Sequence, residues 1–178
     1  MRSLAAFVAR HQPSILAVCE VDAGDALALA TRFALQWAYR GKQALFWGQR
    51  FEAFAVRDLF LPFVAARPFD RRGLLRVDGT LAGEPCSLFA TQIAEARAQR
   101  VIELRFARLR VRETSTPAIL FVRLPDRRIS FGDRGFSDVL GAHGASERIF
   151  VRGFGIAEAT VEAALLGIGA PVLARLTV

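Results

Sequence analysis

The stretch Pro13-Ser14-Ile15-Leu16-Ala17-Val18-Cys19-Glu20-Val21-Asp22 decides how this chain is read. Proline and serine punctuate a turn, five apolar residues follow as a buried strand, and Glu20 arrives at the strand's C-terminal end. In layered α/β folds the carboxyl ends of strands open onto clefts, so a carboxylate delivered there is well placed to hold a metal ion.

Outward from that stretch, residues 1–10 read as a helix with Leu4 and Val8 on one face. Asp25 reads as the N-cap of a second helix reaching about residue 39, with Leu27, Ala30, Ala34 and Trp37 on its apolar stripe and Gly41 ending it. Strands are expected at 44–47 and, as one or two pieces rich in aromatics, at 51–64. A strand pair at 74–77 and 85–91 is joined by the turn-rich residues 78–83. Residues 95–112 form the longest helix, with Ala98, Ile102, Phe106 and Leu109 as its apolar stripe. A break at 114–117 precedes a buried strand at 118–123, and 125–144 is a polar loop region with room for one short helix. Closing strands are expected at 149–152, 159–165 and 172–178. No repeat, low-complexity run or linker divides the chain, so residues 1–178 are expected to form one α/β (α+β) domain.

At 178 residues the chain is long enough for a sizeable core. Its mean hydropathy of +0.30 is high, yet no apolar run reaches the roughly 18 residues that a membrane span needs. His11, Gln12 and Pro13 interrupt the N-terminal apolar pattern early, so no signal peptide is read and a cytoplasmic location is expected. The formal net charge of +7 suits a nucleic acid or another phosphorylated partner. Only Lys42 among 24 basic residues is a lysine, and that bias, beside so much alanine, points to a GC-rich genome as a second source of the arginines. Cys19 and Cys86 both fall inside apolar strands without metal-ligand spacing and read as buried, reduced thiols.

The opening stretch resembles the "PDILALQEVD" signature of the endonuclease/exonuclease/phosphatase superfamily, with Cys19 at the family's glutamine and Glu20 at its metal-binding glutamate. The resemblance continues in order along the chain. RGKQALFW (40–47) is similar to a family segment ending in a strand. RRGLLRVDGTLAGEPCSLFATQI (71–93) resembles the hairpin leading into "THL", and residues 97–109 resemble the helix after it. PAILFVRLP (117–125) resembles "PVILAGDFN", SERIFVRG (146–153) resembles "IDYIFVSG", and GIGAPVLARL (167–176) resembles the terminal "SDHFPVVAEL". What this implies is a four-layer α/β sandwich, two packed mixed sheets flanked by helices. The family's first strand has no counterpart, because the likeness begins at the following helix.

The same resemblance implies metal-dependent phosphoester chemistry, in which a carboxylate holds Mg²⁺ and a His–Asp pair activates water. Here the histidine of "THL" falls on Gln92, the aspartate and asparagine of "GDFN" on Arg123 and Pro125, and the terminal "SDH" on Gly167, Ile168 and Gly169. The aspartate of "IDYIFV" becomes Glu147. Glu20 is therefore the expected metal position, and Arg123, Glu147 and Gln92 are the expected contacts to a phosphate or other ligand. Arg123, standing where the family has an aspartate, is expected to face Glu20 and replace the cation electrostatically.

Other candidates carry less chemistry. His11 sits at a helix end and reads as a C-terminal cap, and His143 lies in a loop without a motif. No serine, threonine or cysteine has a nucleophile context. Asp133, Asp138 and Glu147 are expected to share a solvated acidic loop face. Arg97, Arg105, Arg108 and Arg112 lie along one side of the long helix, most simply as a solvated stripe. The aromatics from Phe46 to Phe69 are expected to fill a core, although Arg50, Arg57 and Arg67 between them allow a nucleic-acid surface.

The expected protein is thus a catalytically degenerate binding or structural relative of the superfamily, without a cofactor. Its partner would be a phosphorylated ligand or nucleic acid and not a membrane, and an exposed sheet edge would allow a homo-oligomer. The rival is an active, divergent Mg²⁺-dependent phosphodiesterase or phosphatase using Glu20 and Glu147. A third reading takes the echoes as coincidence on a different α/β fold.

Overall fold

The computed structural model describes residues 2–61, 73–125, 135–139, 146–161 and 172–177. Helix α1 (Arg2–His11) leads through Pro13 and Ser14 into β1 (Ile15–Cys19). Helix α2 (Ala23–Phe33) is capped by Asp22, whose Oδ1 accepts the Asp25 N–H at 2.8 Å. The expected cap, Asp25, is therefore the donor partner and not the cap. The helix also stops short of residue 39: Ala34 adopts a left-handed conformation (φ 51°), its N–H reaching back to the carbonyls of Ala30 and Thr31. Residues expected in the helix instead form β2 (Gln36–Arg40), which pairs antiparallel with β3 (Gln43–Trp47) across the Gly41-Lys42 turn. Both turn residues have positive φ, 48° and 66°, which matches the twist of a tight hairpin. The inward residues of α2 are Ala26, Leu29 and Ala30, while Leu27, expected on the apolar stripe, is exposed.

β4 (Phe51–Phe60), β5 (Gly73–Leu81) and β6 (Glu84–Gln92) form a meander. The expected turn at 78–83 shrinks to Ala82 and Gly83, both with positive φ, because the strands continue through Asp78 and Gly79. Gly79 is required where β4 bulges between Ala53 and Ala55: a Cβ there would lie 2.4 Å from the Glu52 carbonyl oxygen. The chain crosses over through α3 (Arg97–Arg112) to β7 (Ala118–Arg123), which is parallel to β6. β9 (Glu147–Arg152) adds antiparallel to β7, and β8 (Ser137–Asp138) caps the edge. The described part of the expected loop at 125–144 thus contributes a short strand; its expected helix lies outside the described residues. The last two strands, β10 (Gly155–Val161) and β11 (Val172–Thr177), pair with one another. β10 starts four residues before the expected strand at 159, and the expected residues 162–165 lie outside the described ones.

Three apolar clusters show the layering. Leu4, Phe7, Leu29 and Phe46 pack α1 and α2 against one face of the small sheet β1-β3-β2. Leu45, Trp47, Val77, Leu88 and Ile119 fill the space between the small sheet and the six-stranded sheet β4-β5-β6-β7-β9-β8. Phe89, Ala107, Val111, Leu120 and Phe150 seat α3 on the far face. The order is therefore helices, sheet, sheet, helix. The large sheet is mixed, and the small one is antiparallel throughout among the described residues. Every residue of β3 is buried, as expected of a central strand covered on both faces. Phe46, Trp47 and Phe51 enter the core as expected, whereas Phe54, at the β4 bulge, is 71% exposed. The other expected core aromatics, Phe60 to Phe69, have side chains outside the described residues.

α3 presents a different face from the one its apolar residues suggest. Glu103, Ala107 and Val111 point inward, while Ala98, Ile102 and Leu109 are exposed and Phe106 is half-buried. Glu103 is only 2% exposed, and its carboxylate accepts the Ala94 N–H at 2.6 Å and the Gln99 amide at 2.8 Å. The N-cap, Ala96, makes no side-chain hydrogen bond, and Glu103 instead ties the segment that enters the helix to the helix itself. Replacing it strands a buried N–H, so Glu103→Ala is expected to cost about 2 kcal/mol in a urea melt. Leu109→Gln, at a position 54% exposed, is expected to stay within about 0.5 kcal/mol.

Candidate functional site

The site is built from three neighbouring strand ends and one residue across the sandwich. In the parallel pair, Gln92 stands opposite Arg123; in the antiparallel pair, Arg123 stands opposite Glu147. Directly opposed residues project to the same face. Gln92, Arg123 and Glu147 therefore form a polar row on the face toward the small sheet. Glu20 meets that row from the end of β1. It adopts a left-handed conformation, φ 57°, which a β-substituted residue occupies at a cost of about 1–2 kcal/mol.

The Gln92 side-chain amide donates to Glu20 Oε1 at 2.6 Å. Arg123 Nη1 lies 3.5 Å from the same oxygen, and Arg123 Nε lies 3.5 Å from Glu147 Oε1. The Ser146 hydroxyl donates to Glu147 Oε2. One guanidinium thus bridges two carboxylates, one from each sheet. Glu20 and Arg123 remain 44% and 37% exposed, so each pair contributes little stability, about 0–1 kcal/mol. All four expected site residues, Glu20, Gln92, Arg123 and Glu147, are brought together. Ser146 is the member that sequence reasoning misses, and only its place before Glu147 hints at it.

Next to Glu20, the Cys19 thiol is pushed up to about 12. Burial is the main cause. Arg123 works against it, while Glu147 and Glu20 reinforce it. Such a thiol is not a nucleophile at neutral pH. Cys86, on β6, is likewise pushed up to about 12, by burial first and Asp78 second. Both cysteines are free.

The other expected candidates fall elsewhere. His11 ends α1 with its ring 4.7 Å from that of Phe7. His143, Asp133 and the segment 167–169 lie outside the described residues. Asp138 pairs with the buried Arg148 and stands opposite Phe150, on the α3 face of the sheet. Glu147 faces the other way, so these two do not form the expected acidic face.

A crevice of ≈ 1220 Å³ opens beside the cluster, between the sheets. β1, β7, β9 and β11 contribute to it, with Glu20, Arg123 and Glu147 at one end and Arg50, Glu158 and Arg175 among its other charged residues. α3 packs against the opposite side of the large sheet, and none of its arginines borders this crevice.

No family profile and no curated protein matches the chain. Solved structures do. A D. rerio TDP2 humanized by 14 mutations superposes with a TM-score of 0.82 at 16% identity, covering 99% of this chain and 90% of that one. A mannosyl-6-phosphatase of Bacteroides thetaiotaomicron gives 0.81 at 14% identity, covering 98% and 89%. An endonuclease/exonuclease/phosphatase family protein of the same organism gives 0.80 at 14%, covering 97% and 86%. The chain has the endonuclease/exonuclease/phosphatase fold. Identities this low carry the fold alone, so the chemistry rests on the residues above. Among the described residues, no helix is long and apolar enough to cross a membrane.

The strain at Glu20 separates by substitution: Glu20→Gly is expected to be about 1 kcal/mol more stable than Glu20→Ala in chemical denaturation. The two thiols give a pH signature. Their folded pKa values lie above the ordinary thiol value of about 8.5, so from there toward about 12 the unfolded chain releases protons that the native one keeps. Stability is expected to fall with rising pH across that window. A Cys19→Ala, Cys86→Ala double variant should show a shallower decline in urea melts taken at pH 7 and pH 10.

Proposed function

We propose that this chain is a catalytically degenerate protein of the endonuclease/exonuclease/phosphatase fold, which acts by binding and not by metal-dependent hydrolysis. The observation that carries the reading is the Arg123 guanidinium bridging Glu20 and Glu147. A divalent cation at Glu20 would sit a few ångströms from that fixed positive charge. Even at the dielectric of bulk water, a double and a single positive charge about 4 Å apart repel by about 2 kcal/mol. The cation would also compete with the Gln92 amide for Glu20 Oε1. Among the described residues, no three His, Cys, Asp or Glu side chains converge to hold a metal. The donor set fits a guanidinium better than Mg²⁺, and no metal-dependent step follows from it.

The ligand class that fits is phosphorylated, with nucleic acid the leading case. The net charge of +7 supports this, as do Arg50 and Arg175 on the crevice. A D. rerio TDP2 of the same fold has been seen with a single-strand DNA product. Among the described residues β4 has no second strand neighbour, and Phe54 and Val56 on it are exposed, which adds self-association to the reading, consistent with a binding role.

Calorimetry with Mn²⁺ on three proteins tests the central point. The wild type and Glu20→Ala are expected to give no binding heat at millimolar metal. Arg123→Asp, which removes the guanidinium and adds a carboxylate, should gain binding. Metal binding by the wild type that disappears in Glu20→Ala would sink the proposal and favour the divergent phosphodiesterase or phosphatase. A labelled single-stranded oligonucleotide tests the ligand: anisotropy should rise on binding, and affinity should drop steeply between about 50 and 200 mM salt.

A further inference from the structure

The outer side of α3 carries an apolar stripe. Ala98, Val101, Ile102 and Leu109 fall at i, i+3, i+4 and i+11, positions that share one helix face. Val101 is 59% exposed, Leu109 54% and Ile102 36%. The inner side is made by Glu103, Ala107 and Val111, which seat the helix on the large sheet. A single exposed apolar residue is ordinary, but a row of them along one helix calls for a partner.

Arginines run along the same side. Arg97, Arg105 and Arg112 are all exposed there. α3 holds six arginines and one glutamate, and that glutamate, Glu103, is buried on the inner side. Glu113, just past the helix end, is held by Arg110 Nη1 at 2.8 and 3.0 Å. The outer face is therefore apolar and positive at once, and this combination narrows the partner. A second copy would set arginine against arginine. A nucleic acid would use the arginines, but its phosphodiester backbone gains nothing from Val101, Ile102 and Leu109. An acidic peptide helix buries its own apolar side in a groove between elements, whereas α3 lies on this face of the sheet as a single helix among the described residues. A bilayer interface offers anionic phosphate with acyl chain just beneath it, in a plane that meets a helix of about 24 Å along its whole length.

We propose that the outer face of α3 docks the protein peripherally on anionic phospholipid. Val101, Ile102 and Leu109 enter the boundary between headgroups and acyl chains, while Arg97, Arg105 and Arg112 stay at the level of the phosphates. The expectation of no membrane partner followed from the lack of a spanning segment. A helix lying in the interface plane needs no span, and among the described residues no helix is long and apolar enough to make one. The inference goes beyond the reading of the Arg123 cluster and does not depend on it. α3 packs on the opposite side of the large sheet, so a ligand at Arg123 and lipid at α3 do not compete for one surface.

Vesicle flotation with the intact chain tests this, using phosphatidylcholine alone and phosphatidylcholine with about 30 mol% phosphatidylserine. The wild type is expected to float with the anionic vesicles and to stay behind with the neutral ones. An arginine near such a surface strengthens binding about fivefold, so Arg105→Gln should lose about that factor. The double variant Val101→Gln, Leu109→Gln should lose about tenfold or more. Circular dichroism checks that it folds; if it does not, Arg105→Gln and the tryptophans decide. Trp37 and Trp47 belong to the small sheet, across the sandwich from α3. Lipid brominated on its acyl chains should therefore leave their fluorescence unquenched while the protein floats. Four results overturn the proposal. The first is a wild type that does not float with anionic vesicles. The second is a folded double variant that floats as well as the wild type, which leaves charge alone as the cause. The third is tryptophan quenching on brominated vesicles, which assigns the contact to another face. The fourth is a dimer, seen without vesicles, that the double variant abolishes, which assigns the stripe to a second copy.

Discussion

Parallel neighbours in a sheet cannot be joined by a tight turn; the chain must cross over between them, and α3 with its flanks makes that crossing between β6 and β7. Much of the molecule depends on this pairing. It brings the carboxyl ends of both strands to the same end of the sheet, and β9, running the other way, begins there. Gln92, Arg123 and Glu147 consequently fall into one row. Had β6 and β7 been antiparallel, Gln92 and Arg123 would lie at opposite ends and Arg123 would have only Glu147 beside it. The crossing also places α3 on the far face of the large sheet, which leaves the inner face free to meet the small sheet and Glu20.

Local energetics set this cluster apart from the polar network near the opposite end of the same sheet. There Asp78 is buried, accepts hydrogen bonds from Ser87 Oγ at 2.7 Å and Arg76 Nε at 2.8 Å, and Ser87 continues to Thr116 at 3.1 Å. Those groups are satisfied out of water, where a lost partner is costly. At the Glu20 end the pairs are half-exposed and longer, and the residue that joins the sheets holds a left-handed backbone. Ion pairs contributing about 0–1 kcal/mol do not offset about 1–2 kcal/mol of backbone strain by a wide margin. Stability alone gives little reason for this arrangement, and strained positions of this kind cluster at functional sites.

The sequence is legible where signals are local and ambiguous where tertiary partners decide. The strand ahead of Glu20, the hairpin from β5 to β6 and the strand of Arg123 carry turn residues and apolar runs that need no context. Residues 36–40 do not: Trp37 and Tyr39 alternate as in a strand, yet Trp37 also continues the helical spacing from Ala30 and Ala34. The pairing with β3 across Gly41-Lys42 resolves it, and Gly41, which suits a helix end as well as a hairpin turn, serves here as the turn. α3 misleads for a different reason. Ala98, Ile102 and Leu109 face out while Leu104, Ala107 and Val111 pack inward beside the buried Glu103 carboxylate that takes the Ala94 N–H, and a hydrophobicity pattern has no way to register that contact. The four site residues are each marked by likeness to a motif, but their convergence depends on strand register. Ser146 and the crevice depend on it wholly, so neither has a clear sequence signal.

The crevice and the charged row share a wall, and this couples their physics. With water present, charges about 4 Å apart interact by about 1 kcal/mol; at the effective dielectric of about 20 typical near protein surfaces, the same pair reaches about 4 kcal/mol. Whatever fills the crevice displaces water from beside Glu20, Arg123 and Glu147 and moves the row toward the second regime. An apolar occupant would tighten the guanidinium between its carboxylates, drawing the end of β1 toward β7 and β9. An anionic one would compete with Glu20 and Glu147 for Arg123 and loosen that contact between the sheets. The sign of the response at Arg123 therefore reports the chemistry of the occupant, and the two-carboxylate, one-guanidinium row is built to give opposite answers to the two.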